Sequence, residues 1–190
     1  MDASSDRLIV AEGPHVRLRP KRAEDAADDY RWRTDPELAR LDGAEPRELS
    51  WEQFLDWYEA EVLTPRPDRR TFAIETQAGE HIGSLMYYNV AARLDAAEVG
   101  ILIGERAYWG RGLGTEAMVA FIRYAWSNHP WRRLVLHTLD WNERAQRSFL
   151  KAGFRPVGFV TRGDRRFLRM ETERAWWLLW ESEGRFSRWT

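Results

Sequence analysis

The chain has 190 residues, 44% hydrophobic and 31% charged, with 11 tryptophans, no cysteine and a formal net charge of −1. That length suits one domain with a real core rather than two. The lack of cysteine excludes disulfides, thiolate catalysis and cysteine metal sites. The four histidines, His15, His81, His129 and His137, have no ligand-like spacing, so no metal site is expected. No apolar stretch approaches the roughly 18 residues of a membrane span, and no basic-then-apolar start suggests a secretory signal. The expected location is the cytoplasm, with no membrane partner.

The charge is unevenly placed. Residues 1 to 64 carry 16 acids against 9 bases, and residues 65 to 190 carry 14 against 20. A basic second half suits a polyanionic cofactor and an acidic first half a cationic substrate, while solvated surface is the plainer reading of both. Arg162, Arg165, Arg166 and Arg169 form the densest basic cluster. With no nucleic-acid motif around it, the cluster reads as the surface of a strand and turn, and no nucleic-acid partner is expected.

In chain order, residues 1–14 read as a flexible N-terminus, followed by a strand over 16–19. A helix over 23–33 must stop before Pro36, since the residue preceding a proline is driven out of helical geometry. Ser50-Trp51-Glu52-Gln53 fits a capping box that starts a second helix. Residues 64–70, with two prolines, read as a loop. Strands over 71–76 and 82–89 flank an Ala-Gly turn beside which His81 reads as a surface residue, and a third strand covers 97–103. Leu113, Ala117, Ala120, Phe121 and Tyr124 recur at helical spacing, and a helix over 115–126 is ended by Pro130. A strand over 134–138 and a helix over 142–151 follow, with Gly153 just past its end. Strands over 154–161 and 167–171 complete the sheet. The segment 174–190 is an aromatic C-terminal extension; Trp176, Trp177 and Trp180 either pack the core or form a subunit contact in a homodimer.

The most informative segment is Trp109-Gly110-Arg111-Gly112-Leu113-Gly114, between the apolar Ile101-Leu102-Ile103 and the helix that opens at Thr115. Glycines let backbone approach an anion closely, and the unpaired N–H groups and positive dipole end of a following helix favour negative charge. A phosphorylated cofactor is therefore expected. No Gly-Lys-Ser/Thr triplet exists, which argues against ATP or GTP. Thr115 stands where a dinucleotide fingerprint wants its third glycine, and no acidic residue follows at the required place.

A second motif lies downstream: Asn142-Glu143-Arg144-Ala145, then Phe149, Lys151 and Gly153-Phe154. Together the two motifs resemble those of the GNAT superfamily of acetyl-CoA-dependent N-acetyltransferases, over about residues 16–171. The glycine loop has the family's Gln/Arg-x-x-Gly-x-Gly/Ala form, with Trp109 at its first position. The aromatic at 109 with Gly-Thr-Glu-Ala after it resembles the branch containing ribosomal-protein N-terminal acetyltransferases and spermidine acetyltransferase. The resemblance implies a single α/β domain with a mixed, mostly antiparallel sheet of about six to seven strands flanked by helices. It implies that the backbone of Ile101, Leu102 and Ile103 pairs with the pantetheine arm of acetyl-CoA. It also implies that N–H groups of Trp109, Gly110, Arg111, Gly112, Leu113, Gly114 and Thr115 hold the pyrophosphate, and that Asn142 contacts the amide arm. A helix cap is the plainer role for Asn142.

Acetyl transfer needs a neutral amine, a donor to the developing oxyanion and a proton for the departing thiolate. An alkylamine of pKa near 10.4 is only about 0.04% neutral at pH 7, equivalent to roughly 4.6 kcal/mol of barrier. Glu98, near the start of the strand before the loop, is the candidate base, acting directly or through water. Many family members place a proton-donating tyrosine where this chain has Phe149, which has no proton to give. Ser148 is the candidate donor, with Tyr108 and water as alternatives. His137 lies on a strand facing the cleft and reads as structural. Expected acceptors are a protein N-terminus, a polyamine, an aminoglycoside or a small metabolite, recognised within residues 23–70. A non-catalytic acyl-CoA-binding sensor is the competing reading.

Overall fold

All the alternating runs of the sequence become strands of one sheet. In the computed structural model, which describes residues 8–91 and 95–189, the strands are β1 (Ala11–Glu12), β2 (Val16–Pro20), β3 (Arg70–Thr76), β4 (His81–Ala91), β5 (Ala96–Ile103), β6 (Arg133–Leu139), β7 (Arg155–Arg162) and β8 (Arg165–Glu173). Their spatial order is β1-β2-β3-β4-β5-β6-β8-β7, and every neighbouring pair is antiparallel except β5 with β6. The eighth strand exceeds the expected count. It is β1, which picks up the free edge of β2, with Ala11 opposite Leu18 and Glu12 opposite Arg17. Part of the expected flexible terminus is thus ordered by an unpaired ladder; its residues 1–7 lie outside the described residues.

Among the described residues six α-helices cover the sheet: α1 (Ala26–Thr34), α2 (Pro36–Asp42), α3 (Trp51–Tyr58), α4 (Leu113–Asn128), α5 (Glu143–Lys151) and α6 (Arg174–Ser182). The first expected helix opens as a 3-10 turn over Ala23–Asp25 before α1, and it does stop ahead of Pro36. The proline also starts α2, an element sequence reading missed. A first-turn residue has no use for its N–H, so proline costs nothing there. The Asp35 side chain accepts from the N–H groups of Glu37 and Leu38, and Gly43 closes the helix in the left-handed region at φ 69°. Ser50 and Gln53 cap α3 reciprocally, as the sequence predicts. Beyond Tyr58 that helix widens into a π turn over Glu59–Leu63.

The main core lies between α4 and the sheet. Ala117, Phe121 and Ile122 meet Leu18, Phe72 and Leu85, all buried, and burying each large side chain contributes about 1.5–3 kcal/mol. The C-terminal aromatics join this core. Trp177 stacks on Phe186 with centroids 4.6 Å apart and donates its indole N–H to the Ala152 carbonyl at 2.9 Å. Trp176 and Trp180 lie under the Arg155 guanidinium, at 4.8 and 4.4 Å.

A buried ionic cluster fastens α1 to β2, β3 and β4. Arg19 bridges Asp25 (2.7 Å) and Glu75 (2.5 Å), and Lys21 pairs with Asp29 (2.7 Å). His81, expected at the surface, belongs here. Strand β4 begins at His81, and α1 folds over that end of the strand, placing Trp32 against the imidazole with centroids 4.8 Å apart. Lys21 can only donate, so it donates to His81 Nε2 (2.9 Å), and the opposite ring N–H then donates to Asp28 (3.1 Å). Burial, followed by the Lys21 charge, holds the His81 pKa below its ordinary value.

Candidate active site

Strands β5 and β6 pair only over Ala96, Ala97 and Glu98, opposite Arg133, Leu134 and Val135, and then part company. Their divergence leaves one edge of Ile101 to Ile103 unpaired by β6, facing a cleft of about 360 Å³. Ile101, Leu102, Ile103 and the loop residues Trp109, Gly110, Gly112, Leu113, Gly114 and Thr115 all line it. Arg111 is exposed outside that lining, its guanidinium over the Tyr108 ring at 5.3 Å.

The loop geometry follows from its glycines. Gly110 and Gly112 have φ of 75° and 83°, a region costly for residues with a side chain, and Gly112 also lies against Trp189, which a Cβ would meet at 3.1 Å. The Trp109 N–H is already taken by the Arg106 carbonyl at 3.0 Å, so the loop's anion-facing donors begin after it. Its indole N–H closes the turn on the Ile103 carbonyl at 2.7 Å, and Arg144 covers the ring at 4.0 Å. The first intrahelical bond of α4 runs from Glu116 N–H to the Gly112 carbonyl, leaving the earlier N–H groups facing the cleft mouth. Glu116 is wholly buried and accepts from the N–H groups of His15 (2.6 Å) and Val16 (2.9 Å), which anchors the start of α4 to β2.

Helix α5 forms the opposite wall. Asn142 caps it, accepting from the Ala145 N–H at 3.2 Å, and its amide donates to the Leu41 carbonyl at 3.2 Å, so the side chain ties α5 to α2 while lining the cleft. Ser148 faces the same space and shares a 2.8 Å hydrogen bond with Thr115; Phe149 is buried beside it. Tyr108 also lines the cleft, but its hydroxyl donates to Glu80. Arg144, Arg147 and Lys151 make this wall cationic.

On the other side of β5 lies a second cavity of about 640 Å³, bounded by α1, α2, the π turn, β3 and β4. Asp29, Asp42, Glu45, Glu61 and Asp68 line it against Arg33, Arg47 and Arg69, together with Trp32, Trp57 and Tyr88. The two cavities share Leu38, Asp42, Ile101 and Leu102.

Glu98 lines neither cavity. A bulge late in β4 puts Asn89 in the left-handed region at φ 50° and turns its amide to Glu98 at 3.0 Å. Tyr88 donates to the same carboxylate at 3.0 Å, and His137 Nδ1 lies at 2.8 Å. Burial alone would raise the Glu98 pKa, but the bonds from Asn89 and His137, the His137 charge and the Tyr88 hydroxyl outweigh it and hold the group below its ordinary value. Such a carboxylate is a poorer proton acceptor than an ordinary one. Asp42 is the opposite case. Its side chain is itself exposed, but the protein crowded around it pushes its pKa up to about 6, and only the Arg33 charge pulls the other way. Sequence reading missed Asp42 because it missed α2; Asp35-Pro36 and Gly43, a cap, a first-turn proline and a terminating glycine, were the available signal.

Among the described residues no group of side chains is suited to hold a metal, and no helix is long and apolar enough to cross a membrane. The profile of the acetyltransferase (GNAT) domain matches residues 15–155. The uncharacterized protein MJ1062 of Methanocaldococcus jannaschii is 25% identical over 125 residues, 65% of this chain, and the match spans only 25% of that longer protein. Among solved structures, the spermidine N-acetyltransferase of Vibrio cholerae in complex with CoA and spermine superposes with a TM-score of 0.76 at 18% identity, over 86% of this chain and 98% of the other. The aminoglycoside acetyltransferase AAC(6')-Ib, bound to ribostamycin and coenzyme A, gives 0.72 at 23% identity, over 84% and 94%.

Proposed function

The chain belongs to the GNAT acetyltransferase domain family, and from that premise we propose that it transfers acetyl from acetyl-CoA to a cationic primary amine. The observation that carries the reading is the parting of β5 and β6 beneath a left-handed glycine loop. A pantetheine arm supplies the strand that β5 lacks there, with the backbone of Ile101 to Ile103 as its partner. The N–H groups from Gly110 to Thr115 meet the pyrophosphate, and Arg144, Arg147 and Lys151 balance the cofactor's charge.

The acceptor enters the second cavity. Five carboxylates line it, and Asp42 among them has no counter-ion of its own, which favours a polyamine or an aminoglycoside over a neutral metabolite, as do the spermine and ribostamycin bound by the structural neighbours. Ser148, in relay with Thr115, gives the thiolate its proton. Glu98 is assigned to holding Tyr88 and His137 in place rather than to the amine.

The test is binding followed by turnover. Acetyl-CoA at 100 times its dissociation constant should stabilise the fold by about 2.7 kcal/mol, and NAD should not. Thiol release should follow addition of spermidine or kanamycin, and Ser148→Ala should slow it tenfold to a thousandfold, overlapping the lower part of the range for a lost general acid, about 10² to 10⁴. Stabilisation by NAD alone would overturn the reading. Binding of acetyl-CoA without acetylation of any amine would leave the acyl-CoA sensor, which Phe149 in place of a proton-donating tyrosine favours.

A further inference from the structure

An acetyl group and an acceptor amine that arrive through different cavities can meet only where the cavities join. Leu38, Asp42, Ile101 and Leu102 mark that junction. Three have apolar side chains, so Asp42 is the single titratable side chain that both spaces share. Resting on the acetyl-transfer reading above, we propose that Asp42, at the C-terminal end of α2, is the general base that takes the proton from the acceptor ammonium.

The neighbouring carboxylates are otherwise engaged. Asp29 is paired with Lys21 and accepts from Ser84, Glu45 pairs with Arg165, and Glu61 and Asp68 pair with Arg66. Among the described residues Asp42 alone of the five acids in the acceptor cavity has no hydrogen bond or ion pair. Its side chain is exposed and lines both cavities.

The charged and titratable groups facing it come from every element packed around α2. They are Arg33 on α1, Tyr88 on β4, Glu45 and Arg47 after the helix, and Arg165, which donates to the Gly43 carbonyl; the Glu98–His137 pair stands behind Tyr88, whose hydroxyl donates to Glu98. Tyr88 cannot replace it as base, because burial and then the charges of Glu98 and Asp42 push that phenol upward and keep it protonated. The negative end of the α2 dipole and the surrounding protein both disfavour the Asp42 carboxylate. A bound cofactor displaces water from the cleft and acts in the same direction. A carboxyl near 6 rather than the ordinary 3.9 narrows the gap to an alkylamine by about two pKa units, roughly a hundredfold in proton affinity.

The step balances. Of the three ammonium protons one passes to Asp42, the nitrogen lone pair forms the C–N bond at the thioester carbonyl, and the C–S bond breaks with its electrons on sulfur. A second proton ends on sulfur through Ser148, the third stays on the amide, and Asp42 returns its proton to water.

Two amines of different basicity separate a base from a structural residue. n-Butylamine arrives protonated, whereas hydroxylamine is largely neutral at pH 7 and needs no deprotonation before attack. With saturating acetyl-CoA, Asp42→Asn should lower kcat/KM for n-butylamine about a hundredfold or more, leave hydroxylamine within about threefold, and remove the limb near pH 6 from the butylamine profile. Asp42→Glu should restore part of the butylamine rate. Equal losses with both amines, or no loss with either, would overturn the assignment. A parent enzyme that binds acetyl-CoA calorimetrically but acetylates neither amine would also overturn it, whereas absence of acetyl-CoA binding would overturn the acetyl-transfer reading itself.

Discussion

The cleft proposed for the cofactor and the cavity proposed for the acceptor share the strand β5 but are made of different material. The cleft is built chiefly from backbone: an unpaired strand edge, two left-handed glycines and the first turn of α4. The cavity is built from side chains of α1, α2, the π turn, β3 and β4, held on a buried network of charges. A backbone site constrains residue type wherever a Cβ would strain the chain or meet a neighbour. A side-chain site can be assembled from any elements that converge. Their resistance to mutation should therefore differ in kind, the cavity failing through stability and the cleft through binding.

The largest effect is expected in the ionic floor of the cavity. Asp29 and Lys21 pair at 2.7 Å with side chains 5% and 1% exposed, so Asp29→Ala leaves a buried ammonium without its nearest counter-charge. Removing one partner of a buried pair costs about 3–5 kcal/mol, and a large fall in Tm by calorimetry is the expected result. A change below about 1 kcal/mol would mean that Asp25 takes over, and the cavity would be less dependent on this pair than its geometry suggests.

In the cleft the corresponding change is Gly112→Glu. It puts a side chain at φ 83° against Trp189 and a like charge beside the pyrophosphate position. Acetyl-CoA affinity should fall at least tenfold, about 1.4 kcal/mol, in a variant that still folds. Unchanged affinity by calorimetry would remove the loop from the site and erase the contrast.

The same contrast governs what was legible. The loop from Trp109 to Thr115 and the Asn142 helix could be read residue by residue, because glycine positions and a cap carry their geometry in their identity. The strands of the sheet followed from their apolar patterning, except the two-residue edge strand β1, too short to have a period. The cavity carried no such code. Pro36 marks an end and hides a beginning, so α2 and Asp42 are not legible in the sequence, and His81 reads as a surface residue because nothing local to a turn announces that α1 folds over it. Only the charge imbalance foreshadowed the division, with acids around one space and Arg144, Arg147 and Lys151 around the other.

His81 supplies the smallest effect, and it sharpens the comparison through pH. Burial and Lys21 depress its pKa in the folded chain below the ordinary 6.5, so folding favours the neutral ring. A group depressed in this way contributes stability that is complete above its unfolded pKa and is lost as pH falls from about 6.5 toward the lower folded value. Protonation would turn Nε2 from an acceptor into a donor facing the Lys21 ammonium, breaking the bond that runs from Lys21 to His81. Stability measured by urea unfolding should therefore decline as pH is lowered through 6.5, and His81→Gln, which cannot titrate, should flatten that decline. Because the cluster forms the floor of the acceptor cavity through Asp29 and Ser84, acidification should loosen the acceptor side first. Acetyl-CoA affinity over the same range should change less than amine KM; an equal change in both would mean that the two halves of the site do not respond separately.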